Sequence, residues 1–168
     1  WSVSVALLRE DAPLVAVVLK PFSGETFCAI RNMGAYYNNQ RLHTVPRLPL
    51  RQAVVGTGFP YRSPETKESF FATLQEVLYA SRGVRRTGSA ALDLCSLAAG
   101  FLQGFYETDL EAYDAAAGLL LLEETGCKFS GFSGDQYRLF ESRSLVAGFP
   151  DVWDELSEIC YRRYGDSI

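Results

Sequence analysis

The stretch that decides the fold spans residues 88–118 and reads GSAALDLCSLAAGFLQGFYETDLEAYDAAAG. Apolar and small residues at helical spacing predict a helix over 89–99. A strand is predicted over 101–107, because this segment is rich in aromatic and apolar residues. It ends in the carboxylate of Glu107. A second helix is predicted over 114–125, with Gly126 as its C-terminal stop. This order of helix, strand and helix is typical of a layered α/β fold.

The same alternation continues on both sides of this stretch. Short apolar runs predict strands at 53–59 and 145–149, and an amphipathic pattern predicts a terminal helix over 151–164. Ser63-Pro64-Glu65 predicts the start of another helix, with the serine as N-cap and the proline at the first helical position. The alternation indicates a mixed, largely buried sheet with helices on both faces, an αβα arrangement.

The first 45 residues have a different pattern. Apolar side chains alternate with a period of two, and turn residues such as Asn38-Asn39 separate the runs, so an antiparallel meander is predicted. This segment contains no helix of its own, and the cover for its sheet is expected to come from elsewhere. The shift in pattern near Pro46 and Pro49 predicts two regions, 1–48 and 49–168.

Composition bounds the class of protein. The net charge of −4 gives no general reason to expect nucleic-acid or anionic-membrane binding, and no apolar run approaches the roughly 20 residues that span a bilayer. The chain starts at Trp1 in what reads as mid-strand, and its only methionine is Met33, so a fragment is expected. Four scattered cysteines predict reduced core thiols of a cytoplasmic protein: Cys28, Cys95, Cys127 and Cys160.

Three features of the quoted stretch could carry chemistry. Thr87-Gly88-Ser89-Ala90 opens a helix whose free N–H groups attract anions, although an ordinary serine N-cap is the favoured interpretation of these residues alone. Glu107 ends an apolar strand and could accept hydrogen bonds from sugar hydroxyls, or could be a solvated strand end. Asp114 at a helix start could bind Mg²⁺ or could simply cap the helix, and one carboxylate cannot form a magnesium site.

Taken together, three segments resemble the C-terminal signature of the inositol monophosphatase family. They are residues 88–93 (GSAALD), residues 104–107 (GFYE) and residues 113–118 (YDAAAG). The family pattern has Trp-Asp-Val-Ala-Ala-Gly at the last segment, after Gly-Ser/Thr-Ala-Ala and a strand that ends in Glu. The likeness covers essentially the whole chain and is nearest to the bacterial extragenic-suppressor-type members.

The resemblance implies a sugar-phosphatase fold and roles for five residues. Asp114 would be a metal ligand that also lies near the inositol hydroxyls, and Glu107 would bind a ring hydroxyl. Gly88, Ser89 and Ala90 would line the substrate pocket. The implied reaction is Mg²⁺-dependent hydrolysis of a phosphate monoester such as myo-inositol phosphate. The family's tryptophan is replaced by Tyr113, which keeps an aromatic wall.

The family's other metal-binding motifs, paired glutamates and Asp-Pro-Leu/Ile-Asp-Gly-Thr, would lie upstream of Trp1. We therefore expect this chain alone neither to bind Mg²⁺ tightly nor to hydrolyse phosphate. Related activities stay open, namely a nucleotide 3′-phosphatase or a fructose-bisphosphatase. A homodimer is expected from the family, with no membrane partner. A different class of function is a non-catalytic partner of RNA-processing or transcription assemblies, with Arg82, Arg85 and Arg86 as a contact patch.

Overall fold

The computed structural model describes residues 1–164. Its first sheet has five antiparallel strands that follow one another in sequence order. The strands are β1 Val3–Arg9, β2 Ala12–Lys20, β3 Glu25–Ile30, β4 Gly34–Tyr37 and β5 Gln40–Arg41. Asn38 and Asn39 have φ values of 46° and 64°, the left-handed conformation that a tight hairpin requires. The predicted meander is confirmed.

The second sheet has five strands in the order β7-β6-β8-β10-β9. They are β6 Val54–Thr57, β7 Gly83–Arg85, β8 Gly104–Glu107, β9 Lys128–Ser130 and β10 Leu145–Gly148. β6 pairs in parallel with both β7 and β8, whereas β10 pairs antiparallel with β8 and β9. The predicted mixed sheet is therefore confirmed, and the short strands β7 and β9 are additions to the prediction.

Four α-helices complete the layers: α1 Lys67–Ala80, α2 Ala90–Ala98, α3 Ala112–Thr125 and α4 Pro150–Tyr164. α3 packs on the first sheet, and α2 packs on α3 and on strands β6 and β8 of the second sheet. α1 and α4 pack together, and α4 also contacts β8, β9 and β10. The order of layers is sheet, helices, sheet, helices, which confirms the predicted α/β sandwich. The last four residues of the predicted 49–168 region lie outside the described residues.

Two details of the prediction are wrong. The strand at 101–107 begins only at Gly104, because the N–H groups of Phe101 and Leu102 turn back to the carbonyl of Ser96 at the end of α2. Ser63 does not cap its helix with its side chain. Its hydroxyl instead donates to the carboxylate of Asp109, and a 3₁₀ turn over Pro64–Thr66 precedes α1.

The cover of the first sheet comes mainly from α3. Ala16, Val18 and Phe27 are buried on the face that α3 contacts. The opposite face exposes apolar side chains on β1, where Val5 and Leu7 are each 60% exposed. The predicted alternation of apolar side chains is therefore present in this sheet, but the alternation alone does not show which face of the sheet is buried.

No helix among residues 1–164 combines the length and the apolar character needed to cross a bilayer. The four cysteines are free thiols, as predicted; Cys95, Cys127 and Cys160 are buried, and Cys28 is half-buried.

Candidate functional site

The start of α2 forms the first part of the site. Gly88 has a φ of +95°, a conformation that favours glycine, and it turns the chain into the helix. Ser89 is the N-cap: its Oγ lies 3.5 Å from the N–H of Leu92 and 3.2 Å from the hydroxyl of Ser2. The favoured interpretation of Ser89 as a cap is thus confirmed. Gly88, Ser89 and Ala90 also line a cavity, so the cap and the cavity wall are the same residues.

Glu107 forms the second part of the site, at the end of β8. Its carboxylate lies against Gly58, where an added Cβ would be 2.0 Å from Oε1. Burial, and after it the nearby carboxylates of Asp93 and Asp114, together raise the pKa of Glu107 to about 7, against the lowering effect of Arg86. Glu107 is therefore not an ordinary solvated strand end.

Asp114 forms the third part, in the first turn of α3. The helix begins two residues earlier than predicted, at Ala112, with Glu111 as its N-cap. Asp114 Oδ2 accepts a hydrogen bond from the N–H of Glu111 at 3.0 Å, and no side-chain donor among the described residues reaches Oδ1. Asp114 is thus both a capping residue and a carboxylate at the cavity wall.

All five predicted site residues line one cavity of about 490 Å³. Its volume lies in the range of small-molecule sites. Glu107 and Asp114 could have lain on opposite sides of the molecule, and the structure instead brings them to the same cavity. The other lining residues are Trp1, Ser2, Ser4, Thr57, Gly58, Phe59, Tyr61, Arg62, Arg86, Ala91, Asp93, Thr108, Asp109, Leu110 and Tyr113.

Asp93 is a site residue that the sequence analysis missed. It lies in the first turn of α2, is 1% exposed and accepts a hydrogen bond from Thr87 Oγ1 at 2.6 Å. Burial raises the pKa of Asp93 to about 6, against the lowering effects of the Thr87 hydrogen bond and of Arg86. A carboxylate inside an apolar helix pattern was the signal available in the sequence, because acids are seldom fully buried without a role.

The three arginines of the predicted contact patch do not all lie at the cavity. Arg86 lines the cavity, whereas Arg82 and Arg85 do not. The guanidinium of Arg86 lies over the rings of Phe59 and Tyr61, at 5.7 and 5.8 Å from their centroids. These contacts join residues from different loops, and no local pattern indicated them.

The charges of the cavity wall favour a bound cation. Four acids line it, Asp93, Glu107, Asp109 and Asp114, and Arg62 and Arg86 are the cations among the described lining residues. Burial is the main cause of the raised pKa of Glu107, and repulsion from the carboxylates of Asp93, Asp114 and Asp109 adds to it; a hard cation would relieve that repulsion. Within residues 1–164, however, no three His, Cys, Asp or Glu side chains are placed to hold a metal ion together. The donors present fit one side of a magnesium site.

The chain belongs to the inositol monophosphatase family, whose model matches residues 1–162. An inositol-1-monophosphatase of Rhizobium meliloti (strain 1021) is 39% identical over 165 residues, which cover 96% of this chain and 60% of that protein. The Nus factor SuhB of Vibrio cholerae is 38% identical over 150 residues, which cover 89% of this chain and 56% of that protein.

The fold agrees with that assignment. The crystal structure of extragenic suppressor protein suhB from Bartonella henselae superposes with a TM-score of 0.88 at 32% identity, covering 95% of this chain and 60% of that one. The resemblance to extragenic-suppressor-type members is therefore confirmed. The chain spans about 60% of the length of the R. meliloti and B. henselae proteins.

Proposed function

We propose that the full-length protein hydrolyses a sugar or inositol phosphate monoester with the help of Mg²⁺. The observation that carries this proposal is the convergence of Glu107, Asp114 and the glycine-opened start of α2 on one cavity. Membership of the inositol monophosphatase family supports it. The relative from R. meliloti, which bears the name inositol-1-monophosphatase, supports the choice of an inositol phosphate as first substrate to test.

Each part of the cavity would have a separate task. Asp114 would bind Mg²⁺ through Oδ1, because its Oδ2 is already engaged by the helix start. Glu107, with a pKa of about 7, can both accept and donate a hydrogen bond near neutral pH, which suits a sugar hydroxyl. The wall of Gly88, Ser89 and Ala90 has little side-chain bulk, so a ligand can approach the backbone at the helix start.

Magnesium would supply the activation of the attacking water and the neutralisation of charge on the phosphate. Asp114 is the one ligand proposed here, and no three carboxylates among residues 1–164 are placed to hold the ion together, which is too few for tight binding. The remaining ligands are proposed to come from protein outside this chain. In keeping with that, we expect the 168-residue chain by itself to be inactive.

Phosphate release from myo-inositol 1-phosphate by the full-length protein tests the proposal. We expect activity that requires Mg²⁺ and that falls at least 100-fold in Asp114→Asn. The matched control is Asp151→Asn, since Asp151 also lies in the first turn of a helix but outside the cavity. Fructose 1,6-bisphosphate and 3′-phosphoadenosine phosphate are assayed in parallel to separate the related activities. Equal activity of wild type and Asp114→Asn would refute the assignment.

A second candidate function is participation in a transcription or RNA-processing assembly. It is favoured by the likeness to the V. cholerae protein named Nus factor SuhB, and the exposed Arg82 and Arg85 offer a contact surface away from the cavity. Co-purification with transcription machinery that survives Asp114→Asn would support it, and loss of all function in that variant would favour the enzyme. A homodimer and a cytoplasmic location stay predictions.

A further inference from the structure

The loop between β8 and α3, residues 108–111, connects the two carboxylates of the proposed site. Glu107 ends β8, and α3 begins at Ala112, two residues before Asp114. The N–H that donates to Asp114 Oδ2 is that of Glu111, which belongs to this loop. The N–H of Asp114 in turn donates to the carbonyl of Glu111 at 2.9 Å. The direction of the Asp114 carboxylate therefore depends on where the backbone of Glu111 lies.

Arg143 holds this loop from outside the cavity. It lies on the segment that leads into β10 and is not among the described residues that line the cavity. Its carbonyl accepts a hydrogen bond from the N–H of Leu110 at 3.0 Å, and its Nη1 donates to the carbonyl of Leu110 at 3.2 Å and also to Glu111 Oε2. Three contacts to two consecutive residues leave the backbone of the loop little freedom to move.

Two other contacts restrict the loop and the side chain that holds it. Asp109 has a φ of 62° and accepts a hydrogen bond from the hydroxyl of Ser63, which ties the loop to the segment before α1. Burial raises the pKa of Tyr137 to about 12, and the nearby guanidinium of Arg143 opposes this shift. Tyr137 is 7% exposed, so a neutral, buried ring lies beside Arg143.

We propose that Arg143 is a positioning residue for the metal site: by holding Leu110 and Glu111, it keeps the second oxygen of Asp114, Oδ1, available at the cavity. The inference rests on the proposed phosphatase function. A ligand side chain that is already fixed binds a metal ion more tightly, since less conformational freedom is lost on binding. Arg143 would act through the loop and not through its charge, because a positive charge near the site weakens the binding of a cation.

The experiment uses this difference in sign. If Arg143 acted only through its charge, its removal would strengthen the binding of a divalent cation. If it positions Asp114, its removal weakens that binding by about tenfold, the effect known for residues that orient metal ligands. Dissociation constants for Mn²⁺ are measured on the full-length protein from the electron paramagnetic resonance signal of the free ion, and phosphate release is assayed in parallel.

Two variants of Arg143 are compared with wild type. Arg143→Met keeps the length of the apolar stem and removes the donors, and it should raise the Kd for Mn²⁺ about tenfold. Arg143→Lys restores a charged donor and should recover most of the affinity. Since the pair with Glu111 is exposed, the thermal midpoint of Arg143→Met should stay within about 4 °C of wild type.

The matched control is Arg138→Met, the same change on the same segment. Arg138 pairs with Glu141 and forms no hydrogen bond or ion pair with the loop among the described residues. The Kd for Mn²⁺ should stay within about twofold of wild type or fall, because the charge of an exposed side chain is screened by salt.

The proposal is overturned if Arg143→Met binds Mn²⁺ as tightly as wild type or more tightly, or if Arg143→Lys is no better than Arg143→Met. Equal weakening in Arg138→Met, or a large loss of stability in Arg143→Met, would also overturn it, since either would show a general loosening of the segment. Wild type that binds no Mn²⁺, or an unchanged Kd in Asp114→Asn, would overturn both this role and the proposed metal site.

The positioning role and the phosphatase function can fail separately. Mn²⁺ affinity that depends on Arg143 and Asp114, without any phosphate release, would remove the phosphatase function and leave the positioning role. Phosphate release by wild type, with unchanged Mn²⁺ affinity in Arg143→Met, would do the reverse.

Discussion

Gly58 and Glu107 fit together so closely that a single methyl group on Gly58 would overlap the carboxylate. An ideal Cβ at Gly58 lies 2.0 Å from Oε1, 2.2 Å from Cδ and 2.7 Å from Oε2 of Glu107. Gly58 follows β6 directly, and β6 pairs with β8, the strand that Glu107 ends. Because Gly58 has no side chain, the end of β6 leaves space for the carboxylate of Glu107 at the end of the neighbouring strand β8.

Gly58→Ala is predicted to displace the carboxylate of Glu107. We expect KM for myo-inositol 1-phosphate to rise about tenfold or more in the full-length protein, since a lost hydrogen bond to a charged group costs roughly 1.5–3 kcal/mol. Gly83→Ala is the control, because a Cβ there meets only the end of the Arg85 side chain, at 3.5 Å. Kinetic constants for both variants decide the point; an unchanged KM in Gly58→Ala would contradict the role given to Glu107.

Gly118→Ala is predicted to destabilise the interface between α2 and α3. A Cβ at Gly118 would lie 2.5 Å from Cβ and 2.6 Å from Cδ1 of Leu94, which is fully buried. Overpacking costs about 1–3 kcal/mol, and the better helix propensity of alanine returns up to about 1 kcal/mol. We therefore expect the free energy of unfolding in urea to fall by roughly 1 kcal/mol. Stability equal to or above that of wild type would show that the helices are not packed as described.

Asp93→Asn is predicted to change how stability depends on pH. The pKa of Asp93 is raised in the folded state, from 3.8 to about 6, so the folded protein keeps this proton after the unfolded chain has lost it. Ionisation of Asp93 therefore lowers wild-type stability as pH rises from about 4 to about 6. Arg86 and Glu107 are the charged groups that face it, and Arg86 partly offsets the cost.

Asparagine keeps an oxygen that can accept the hydrogen bond from Thr87 and removes the charge. The difference in the free energy of unfolding, Asp93→Asn minus wild type, should increase by roughly 1–2 kcal/mol between pH 4 and pH 6.5. Denaturant unfolding at several pH values measures this difference. A difference between the two proteins that stays constant across the range would mean that Asp93 is not held in the environment described.

The parts of the site that the sequence predicted are those with a local signature. Gly88 and Ser89 open a helix, Asp114 lies in the first turn of another, and Glu107 ends a strand, so each could be placed on its element from neighbouring residues, whereas their roles in a site were implied by the family resemblance. Gly58 was missed, and Arg86 was predicted only as part of a contact patch, because their partners lie on other segments of the chain. Gly58 meets a carboxylate 49 positions away, and Arg86 stacks on rings at positions 59 and 61.

In the fold, too, the elements with a local sequence pattern were predicted, and the features set by distant contacts were not. The antiparallel meander and the larger helices follow from periodicity. Ser63 lies at the predicted N-cap position, before Pro64, but its hydroxyl donates to the carboxylate of Asp109, 46 positions along the chain, instead of capping the helix. The three-residue strands β7 and β9 carry too little pattern to be detected alone; each is defined by pairing with a neighbour, β6 and β10 respectively.

The most direct test of the central claim is to locate the metal. Crystals of the full-length protein grown with Mn²⁺ in place of Mg²⁺ and an inositol phosphate would show the ion by its anomalous scattering. We predict an ion at about 2.0–2.2 Å from Oδ1 of Asp114, with a ring hydroxyl on Glu107. An ion bound elsewhere, with Asp114 engaged only in capping α3, would contradict the account.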